Sequence, residues 1–448
     1  MGIFKAYDIR GIYPNEINED IVYKIARAYV IKFKPKKVTA GMDMRLSSPK
    51  LFEVLIKGLT DQGCNVVNIG LVSTPMMYFS VWNYNYDGGL MISASHNPPE
   101  YNGVKMVGKG GVPISGESGI FDIGQMIQNK LPDSKNKGKV EELDVMQPYI
   151  QHSLKHSYIW SLKRFRVVLD TANAMGGPMS IEFFKHLNGE LIHLYPELDG
   201  KFPNHEANPL KHETLKALIK SVVKNKADIG IAFDGDADRC MFVDEKGEVI
   251  GSDLITALVA RVILKDKMKA KILYDVRSSK VVGEVIMENG GVPGRCKVGH
   301  SLVKAEMKEQ NAYFAGELSG HYYLQDEHYA EAPFFVILKL FELMTHDESK
   351  LSDLVKPLKK YFQSGEINSE VDDKRAKMKE LAENFNDGKV SWLDGVTVEY
   401  NDWWFNVRAS NTEPLLRLNI EADTKQLMEE KKILLLNLIK SGISRIHT

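Results

Sequence analysis

Three aspartates at alternate positions form the clearest chemical pattern in the sequence. They are Asp234, Asp236 and Asp238, in the segment DGDADR that follows the apolar run IGIAF. In an extended segment, residues two apart point the same way, so three carboxylate oxygens can converge on one cation. Such a set of oxygen donors suits a hard cation, and we predict Mg²⁺. A solvated acidic turn is the alternative interpretation of so short a motif.

A second pattern is a serine placed after an apolar strand. Ser95 lies in MISASHNPPEYNGVK, where the run GGLMIS reads as the strand and His96 and Asn97 follow the serine. A loop that only reversed the chain would be served by Asn, Gly and Pro, so the hydroxyl indicates chemistry. Lys105 offers a cation near this serine, although a solvated surface lysine is the alternative. The serine is not in a G-x-S-x-G elbow, which argues against a serine hydrolase.

Two further loops carry groups that suit sugars and phosphates. The segment GELSGH contains a carboxylate and a hydroxyl that can grip sugar hydroxyls, although this signal is weak by itself; its polar residues are Glu317, Ser319 and His321. The segment RASNTEPLLR combines two arginines with hydroxyl and amide donors: Arg408, Ser410, Asn411, Thr412 and Arg417. Guanidinium forks beside hydroxyl donors suit a phosphate. A capped turn with surface arginines is the alternative for this second segment.

Two near-matches to known binding motifs fail. An EF-hand that begins at Asp234 would have Glu245 at its twelfth position, but Arg239 stands where that loop requires glycine, and both flanks read as strands. The segment GVKMVGKG has the spacing of a P-loop but ends in Gly110, where a Ser or Thr should hold the metal. Neither site is predicted.

The elements that must position these loops alternate between helices and strands. Three times an apolar-periodic helical stretch precedes a strand and a polar loop. The strands DIGIAF and AYFAG lead into the aspartate and GELSGH loops, as GGLMIS leads into the serine loop. Alternation of this kind indicates βαβ units, in which ligands collect beyond the carboxyl ends of the strands. We therefore expect the three loops to face one cleft.

The C-terminal part of the sequence differs from this repeat. The runs GVTVEY, WWFNVRAS and LLRLNIEA read as strands, and TKQLMEEKKILLLNLIK reads as a helix. We predict a smaller α+β domain there, with a linker near residues 361–370. The predicted domains are an α/β domain with the serine loop (1–150), one with the aspartate loop (151–252), one with the GELSGH loop (253–364) and the α+β domain (365–448).

Length and composition limit the class of protein. The chain has 448 residues, enough for three domains of about 150 residues each. Its 58 Lys plus Arg balance 59 Asp plus Glu, so we expect neither a nucleic acid nor a membrane partner. The N-terminus lacks an apolar signal region and the most apolar run is interrupted by Lys339, which predicts a soluble cytoplasmic protein. Cys64, Cys240 and Cys296 are widely spaced and are expected to be ordinary thiols, buried or half-buried.

Four of these segments together resemble a known superfamily. SASHNP, DGDADR, GELSGH and RASNTEP, in this order, resemble the four signature loops of the α-D-phosphohexomutases. The segments AYDIRG, DMRLSSP, LDTANAMGG and VGHSLVK extend the resemblance over the whole chain. Leu318 and Asn411 favour the phosphomannomutase/phosphoglucomutase group, because phosphoglucosamine mutases typically carry Gln and Gly there.

The resemblance implies an enzyme that interconverts hexose 1-phosphate and hexose 6-phosphate, of mannose, glucose or both. Ser95 would carry a phosphoryl group and a hexose 1,6-bisphosphate would be both intermediate and activator. The implied metal site holds Mg²⁺ through Ser95, Asp234, Asp236 and Asp238. The remaining roles are proton transfer by Lys105 and His300, further active-site cations at Arg10 and Arg239, sugar binding by Glu317, Ser319 and His321, and phosphate binding by Arg408, Ser410, Asn411, Thr412, Arg417 and Tyr7.

The resemblance also implies an architecture and a set of partners. We expect three related α/β domains with mixed sheets plus a smaller α+β C-terminal domain, arranged around a central cleft on which the last domain closes. The partners would be sugar phosphates, and the enzyme would be a monomer. Phosphoglucosamine mutase and a metal-dependent sugar phosphatase remain alternatives, whereas a catalytically silent sugar-phosphate-binding protein would usually have lost Ser95 or a metal aspartate.

Two segments depart from the pattern of this group. Arg277, in YDVRSS, stands where a lysine is usual, and EHYAEAP, residues 327–333, lacks the acidic-Gly sequence often found there. Both departures bear on the sugar preference more than on the reaction.

Overall fold

Four β-sheets follow one another along the chain, each with its own helices. The computed structural model describes residues 2–410 and 415–440. Within these residues the first three sheets mix parallel and antiparallel pairs, and the fourth is antiparallel throughout. The predicted fold class, three α/β units and a smaller α+β unit, is confirmed.

The first unit contains a six-stranded sheet of order β1-β5-β4-β2-β3-β6. Its elements are β1 (Ile9–Ile12), α1 (Glu19–Phe33), β2 (Lys37–Met42), α2 (Ser48–Asp61), β3 (Asn65–Leu71), α3 (Thr74–Asn83), β4 (Gly88–Ile92), β5 (Tyr101–Gly108), α4 (Phe121–Met126) and β6 (Val140–Glu142).

The second unit has a five-stranded sheet, built from α5 (Met146–Leu154), β7 (Phe165–Asp170), α6 (Gly176–Phe184), β8 (Gly189–Leu194), α7 (Lys216–Asn225), β9 (Ile229–Phe233), β10 (Cys240–Asp244) and β11 (Val249–Ile250). The third unit also has five strands and consists of α8 (Ser252–Asp266), β12 (Lys271–Asp275), α9 (Lys280–Glu288), β13 (Val292–Cys296), α10 (His300–Glu309), β14 (Phe314–Gly316), β15 (Tyr322–Leu324), β16 (Ala330–Glu331), α11 (Pro333–His346) and α12 (Leu351–Val355).

The three α/β units repeat one strand order. It reads β3-β2-β4-β5, β8-β7-β9-β10 and β13-β12-β14-β15, with two parallel pairs and then an antiparallel pair each time. The loop between the last two strands of this pattern carries Ser95 in the first unit, the three aspartates in the second and Glu317 in the third. The repeat therefore puts the three predicted loops at equivalent ends of their sheets.

A shared core ties the α/β units together. Helix α11 comes from the most apolar run of the sequence and is buried on nearly every side, as expected of a helix that is apolar all round. Its Phe334 ring stacks on Phe183 with ring centroids 3.8 Å apart, and its Phe341 ring stacks on Phe165 at 4.3 Å. The third unit thus packs directly on the second and gives the loops a rigid support.

The fourth unit consists of β17 (Phe362–Gln363), β18 (Ile367–Glu370), α13 (Lys374–Asn384), β19 (Lys389–Ser391), β20 (Val396–Glu399), β21 (Trp403–Ala409), β22 (Leu415–Ala422) and α14 (Lys425–Lys440). Strands β17 and β18 both pair with β22, so residues 361–370 enter this sheet instead of forming only a linker. Strand β18 could not be predicted from the sequence, because it has only four residues and most of them are polar. The unit is joined to the third by Lys280, whose Nζ lies 2.7 Å from Asp423 Oδ1.

Two smaller predictions concern the cysteines and membranes. All three cysteines are free and buried, as the sequence indicated. Among the described residues, no helix combines the length and the apolar character needed to cross a membrane.

Candidate active site

Ser95 lies in a buried, sharply turned loop after β4. Its backbone has a φ of 51° and its side chain is almost fully enclosed. A positive φ is uncommon for a residue other than glycine and is found where the surrounding structure fixes the conformation. The Ser95 amide donates a hydrogen bond to Ser93 Oγ at 2.9 Å, and its own Oγ lies 3.1 Å from His96 Nδ1.

Arg45 is the main anchor of this serine loop. Its guanidinium is fully buried and donates to four backbone carbonyls, those of Ser95 at 2.8 Å, Asn97 at 2.6 Å, Pro98 at 2.7 Å and Tyr101 at 3.0 Å. The segment DMRLSSP contributes to the family resemblance, but the sequence alone predicted no role for this arginine. A buried arginine whose two terminal nitrogens both donate to one segment, while its Nε lies 3.2 Å from Asp43 Oδ2, holds that segment in a single conformation.

The aspartate loop crosses the serine loop directly. Ser95 Oγ donates a hydrogen bond to Asp234 Oδ2 at 2.9 Å. Between the aspartates, Gly235 allows the close approach, because a Cβ built on it would lie 2.2 Å from the carbonyl oxygen of Ser95. The structure therefore brings together the hydroxyl and the carboxylates that the sequence predicted separately.

Lys105 lies between two of the carboxylates. It is buried in β5, and its Nζ donates to Asp236 Oδ2 at 2.5 Å and to Asp238 Oδ2 at 2.7 Å. Burial alone would lower the pKa of this ammonium, but the charges of Asp236 and Asp238 raise it well above its ordinary value. Lys105 is therefore a fixed cation that keeps its proton between the two carboxylates.

The three aspartates fit a divalent cation. One carboxylate oxygen from each lies within 4.8 Å of the others, and Asp236 Oδ1 is buried with no hydrogen-bond partner among the described residues. Burial, followed by the charges of Asp238 and Asp236, raises the pKa of Asp234 well above its usual range. An all-oxygen donor set with excess negative charge is what a hard cation requires.

A cavity of about 640 Å³ opens in front of these loops. Ten of the predicted residues line it, from all four units: Tyr7, Arg10, Arg239, His300, Glu317, Ser319, His321, Arg408, Ser410 and Arg417. Ser95, Lys105 and the three aspartates do not line it but are buried behind its wall. His96, which contacts Ser95, does line it, so the serine lies at the inner end of the cavity.

His321 links the cavity to the aspartate loop. Its Nε2 lies 3.2 Å from Asp238 Oδ1 and its Nδ1 lies 3.1 Å from Glu317 Oε2. Burial and Arg239 lower the pKa of His321, but Asp238 and Glu317 raise it more, to about 9. Arg239 Nε also lies 3.1 Å from His321 Nε2, so Arg239 and Asp238 meet at one edge of the imidazole ring.

His300 has the opposite character. It is the first residue of α10, and its Nε2 is buried with no hydrogen-bond partner among the described residues. Burial, together with the nearby charges of Lys304 and Lys105, lowers the pKa of His300 well below its ordinary value. The ring centroid lies 6.0 Å from that of Tyr7 and 6.5 Å from that of His321.

Glu317 and Arg10 are both held by neighbours at the cavity wall. Glu317 accepts hydrogen bonds from the Gly299 amide at 2.8 Å and from Tyr323 Oη at 2.5 Å. Arg10 donates to Asp8 Oδ2 at 2.8 Å and to Asn97 Oδ1 at 2.5 Å. These hydrogen bonds fix the side chains of Glu317 and Arg10 before any ligand binds.

Three arginines converge on one glutamate at the far side of the cavity. Arg408 donates to Glu366 Oε2 at 2.7 Å, and Arg417 lies 3.3 Å from Glu366 Oε1. Arg277 of the third unit lies 3.8 Å from Glu366 Oε2. Sequence reasoning missed Glu366, because it lies in the segment predicted as a linker. Ser410 is 3.3 Å from Arg417, whereas the predicted Asn411 and Thr412 lie outside the described residues.

Arg277 has a second set of contacts that fix its position. Its guanidinium forms a fork on Asp275, with Nε 3.1 Å from Oδ1 and Nη2 2.6 Å from Oδ2. Asp275 Oδ2 also accepts the Leu318 amide at 2.8 Å. Arg277 therefore joins the GELSGH loop of the third unit to the arginine cluster of the fourth, and a lysine could not form the same fork.

Family models match the chain in four consecutive parts. They are described as phosphoglucomutase/phosphomannomutase alpha/beta/alpha domain I over residues 1–132, domain II over 147–247, domain III over 251–361 and the C-terminal domain over 366–432. A phosphomannomutase of Methanocaldococcus jannaschii is 41% identical over 442 residues, covering 98% of this chain and 97% of that protein. A phosphomannomutase of Escherichia coli K12 is 38% identical over 448 residues, covering 97% and 98%.

A solved structure gives the same result. The crystal structure of a phosphoglucomutase/phosphomannomutase family protein from Burkholderia thailandensis superimposes with a TM-score of 0.90 at 32% identity, covering 98% of each chain. Sequence, fold and the four loops around the cavity agree. The chain therefore belongs to the phosphoglucomutase/phosphomannomutase family and is a phosphohexomutase.

Proposed function

We propose that this enzyme interconverts the 1- and 6-phosphates of mannose and glucose through a phosphoryl group carried on Ser95. The observation that supports this role most directly is the crossing of two loops, in which Ser95 Oγ lies 2.9 Å from Asp234 Oδ2 and within a buried set of charged groups. A hydroxyl so enclosed serves phosphoryl transfer better than hydrolysis, because water has little access to it.

The proposed transfer has two halves. In the first, the bond between phosphorus and Ser95 Oγ breaks and a bond forms to a hydroxyl oxygen of the hexose monophosphate. The proton of that hydroxyl passes to a base, and the product is a hexose 1,6-bisphosphate. After the bisphosphate reorients, Ser95 Oγ takes the other phosphoryl group and the proton returns to the leaving oxygen.

We assign the proton acceptor to His300, because it lines the cavity and its Nε2 has no hydrogen-bond partner among the described residues. Lys105 then acts as a cation that offsets the charge of the transferring group. Arg10, which donates to Asn97 of the serine loop, and Arg239, which follows Asp238, both line the cavity and would orient that phosphate.

The opposite phosphate would bind the arginine cluster. Arg408, Arg417 and Ser410 line the cavity with Tyr7, and Asn411 and Thr412 belong to the same segment of sequence. Glu366 offsets only part of the charge of these arginines, so a bound phosphate would share the cluster with it or displace it. Glu317, Ser319 and His321 are the proposed contacts of the sugar hydroxyls.

The aspartates are proposed to hold Mg²⁺, together with an oxygen of the phosphorylated Ser95, and the ion would neutralise charge that develops during transfer. Hexose 1,6-bisphosphate would act as activator by phosphorylating Ser95. We further propose that the enzyme acts as a monomer, because residues of one chain line the cavity.

Mass spectrometry of untreated enzyme tests the assignment. We expect one phosphate, mapped to Ser95, and conversion of glucose 1-phosphate to glucose 6-phosphate that Ser95→Ala abolishes. Ser391→Ala is the matched control, because it removes an exposed hydroxyl and leaves the serine loop unchanged. A phosphate on another residue, full activity of the Ser95→Ala variant, or release of free phosphate as the main product would contradict the proposal.

A further inference from the structure

A cluster of two histidines and one glutamate lies outside the cavity, where the second and third units meet. His152 is in α5 and His156 is two residues beyond its end, while Glu327 ends the short helical turn after β15. The two Nε2 atoms approach the same oxygen, Glu327 Oε1, at 2.7 and 2.6 Å. The three ligand atoms lie within 4.8 Å of one another.

The backbone explains why the imidazoles converge. The two histidines are four residues apart, and the intervening Lys155 keeps helical dihedral angles, so both side chains project from one face. Their ring centroids are 5.4 Å apart and the ring planes make an angle of 89°. The rings therefore approach the carboxylate oxygen from different directions, as ligands of one ion do.

The negative charge of Glu327 is balanced within this cluster, because its other neighbours are mostly apolar. The side chain is 6% exposed, and aromatic rings of Phe79, Trp82 and Phe335 pack against the two histidines. In the described parts of the chain, the carboxylate forms ion pairs only with the two imidazoles. A buried carboxylate in an apolar setting requires a positive charge or several donors. The His152 side chain is 22% exposed, which gives an ion a route of entry.

We propose that His152, His156 and Glu327 bind a divalent transition-metal ion, for which Zn²⁺ is the probe. Two imidazole nitrogens and one carboxylate oxygen form a donor set typical of zinc, whereas the all-oxygen set of the aspartate loop suits Mg²⁺. Because bonds to zinc are about 2.0–2.2 Å long, the ligands would move apart slightly as the ion enters. The ion joins α5 of the second unit to the turn after β15 in the third. Glu327, in the segment that departs from the family pattern, then has a role other than sugar choice.

The test separates this site from the aspartate site. Full-length protein is stripped with chelator, loaded with ZnCl₂ in millimolar Mg²⁺, dialysed, and its zinc is counted by mass spectrometry. Wild type and Asp236→Asn should each retain one zinc ion per chain. His152→Gln and Glu327→Gln should lose it, with an affinity reduced by more than about 100-fold, the upper end of what a lost outer-shell partner costs. His346→Gln, which changes an exposed histidine, is the matched control and should bind as wild type does.

Two further readouts keep the result interpretable. Co²⁺ in place of Zn²⁺ should give visible absorption bands in wild type that are absent from Glu327→Gln, a nearly isosteric variant that retains the packing if His152→Gln does not fold. Zinc should raise the melting temperature of wild type by about 3 °C or more and leave that of Glu327→Gln unchanged. Equal zinc content in Glu327→Gln and His346→Gln, or none in wild type, would overturn the proposal.

Discussion

Lys105 and the three aspartates show how charge is balanced in the buried part of the site. The spacing of the aspartates in the sequence predicted that they would converge, and this is observed. The sequence also placed Lys105 near Ser95, but it did not show that the ammonium lies between Asp236 and Asp238. That contact depends on the first and second units meeting, which no local pattern records.

Removing the Lys105 charge should therefore destabilise the metal-free protein. Lys105→Met leaves three buried carboxylates without their main counter-charge, and breaking a buried pair in this way costs about 3–5 kcal/mol. We expect a loss of this size in the free energy of unfolding, measured by urea denaturation in excess chelator. Saturating Mg²⁺ should restore part of it.

Lys109→Met is the matched control, because Lys109 is exposed and lies just after the same strand. If the two variants unfold at the same urea concentration in chelator, Lys105 does not balance the aspartates. If Mg²⁺ gives Lys105→Met no stability, the aspartates are not the site at which the ion binds.

The loops after β4, β9 and β14 meet because three units share one strand order. Helices alternating with strands were visible in the sequence, so the equivalence of the loops could be predicted. Arg45 and Glu366 could not be assigned, since each acts through contacts with segments far away in sequence, at Ser95 and at Arg408. Helix α3, Thr74–Asn83, was also missed; it is buried on most sides and so lacks a helical apolar stripe.

Gly235 tests whether the crossing of the serine and aspartate loops matters. In Gly235→Ala the new methyl group would lie 2.2 Å from the Ser95 carbonyl oxygen, so one loop must shift. We expect the free energy of unfolding to fall by about 1–3 kcal/mol, as for other overpacked sites. We also expect Ser95 to take up much less phosphate from hexose 1,6-bisphosphate, as measured by intact-protein mass spectrometry.

Gly108→Ala serves as the comparison, because a Cβ at Gly108, the last residue of β5, would meet only one atom, at an ordinary 4.0 Å. If Gly235→Ala is phosphorylated as fast as Gly108→Ala, the close approach of the serine and aspartate loops is not needed for phosphorylation of Ser95.

The four units together enclose a cavity whose two ends have the same kind of chemistry. Arg10 contacts Asn97 of the serine loop and Arg239 follows the aspartates, whereas Arg408, Arg417 and Arg277 surround Glu366. The central cleft could be predicted from the loops and the resemblance. The role of Arg277 could not, because its fork on Asp275 and its approach to Glu366 involve residues of two units. This symmetry suits a substrate that binds in two orientations.

Binding in two orientations should make the enzyme tolerant of the sugar. Mannose and glucose differ only at C2, and a pocket that rejected one of them by a hydrogen bond at C2 would have to do so in both orientations. We therefore expect the kcat/KM values for mannose 1-phosphate and glucose 1-phosphate to lie within about tenfold, roughly 1.4 kcal/mol of transition-state discrimination. Arg277→Lys should alter KM for both sugars to a similar degree, because the guanidinium approaches Glu366 in the arginine cluster, which we propose binds the phosphate common to both sugars. Both substrates are measured with catalytic hexose 1,6-bisphosphate. A gap of several hundredfold between the sugars, or a change confined to one of them in Arg277→Lys, would mean that the cavity distinguishes the configuration at C2.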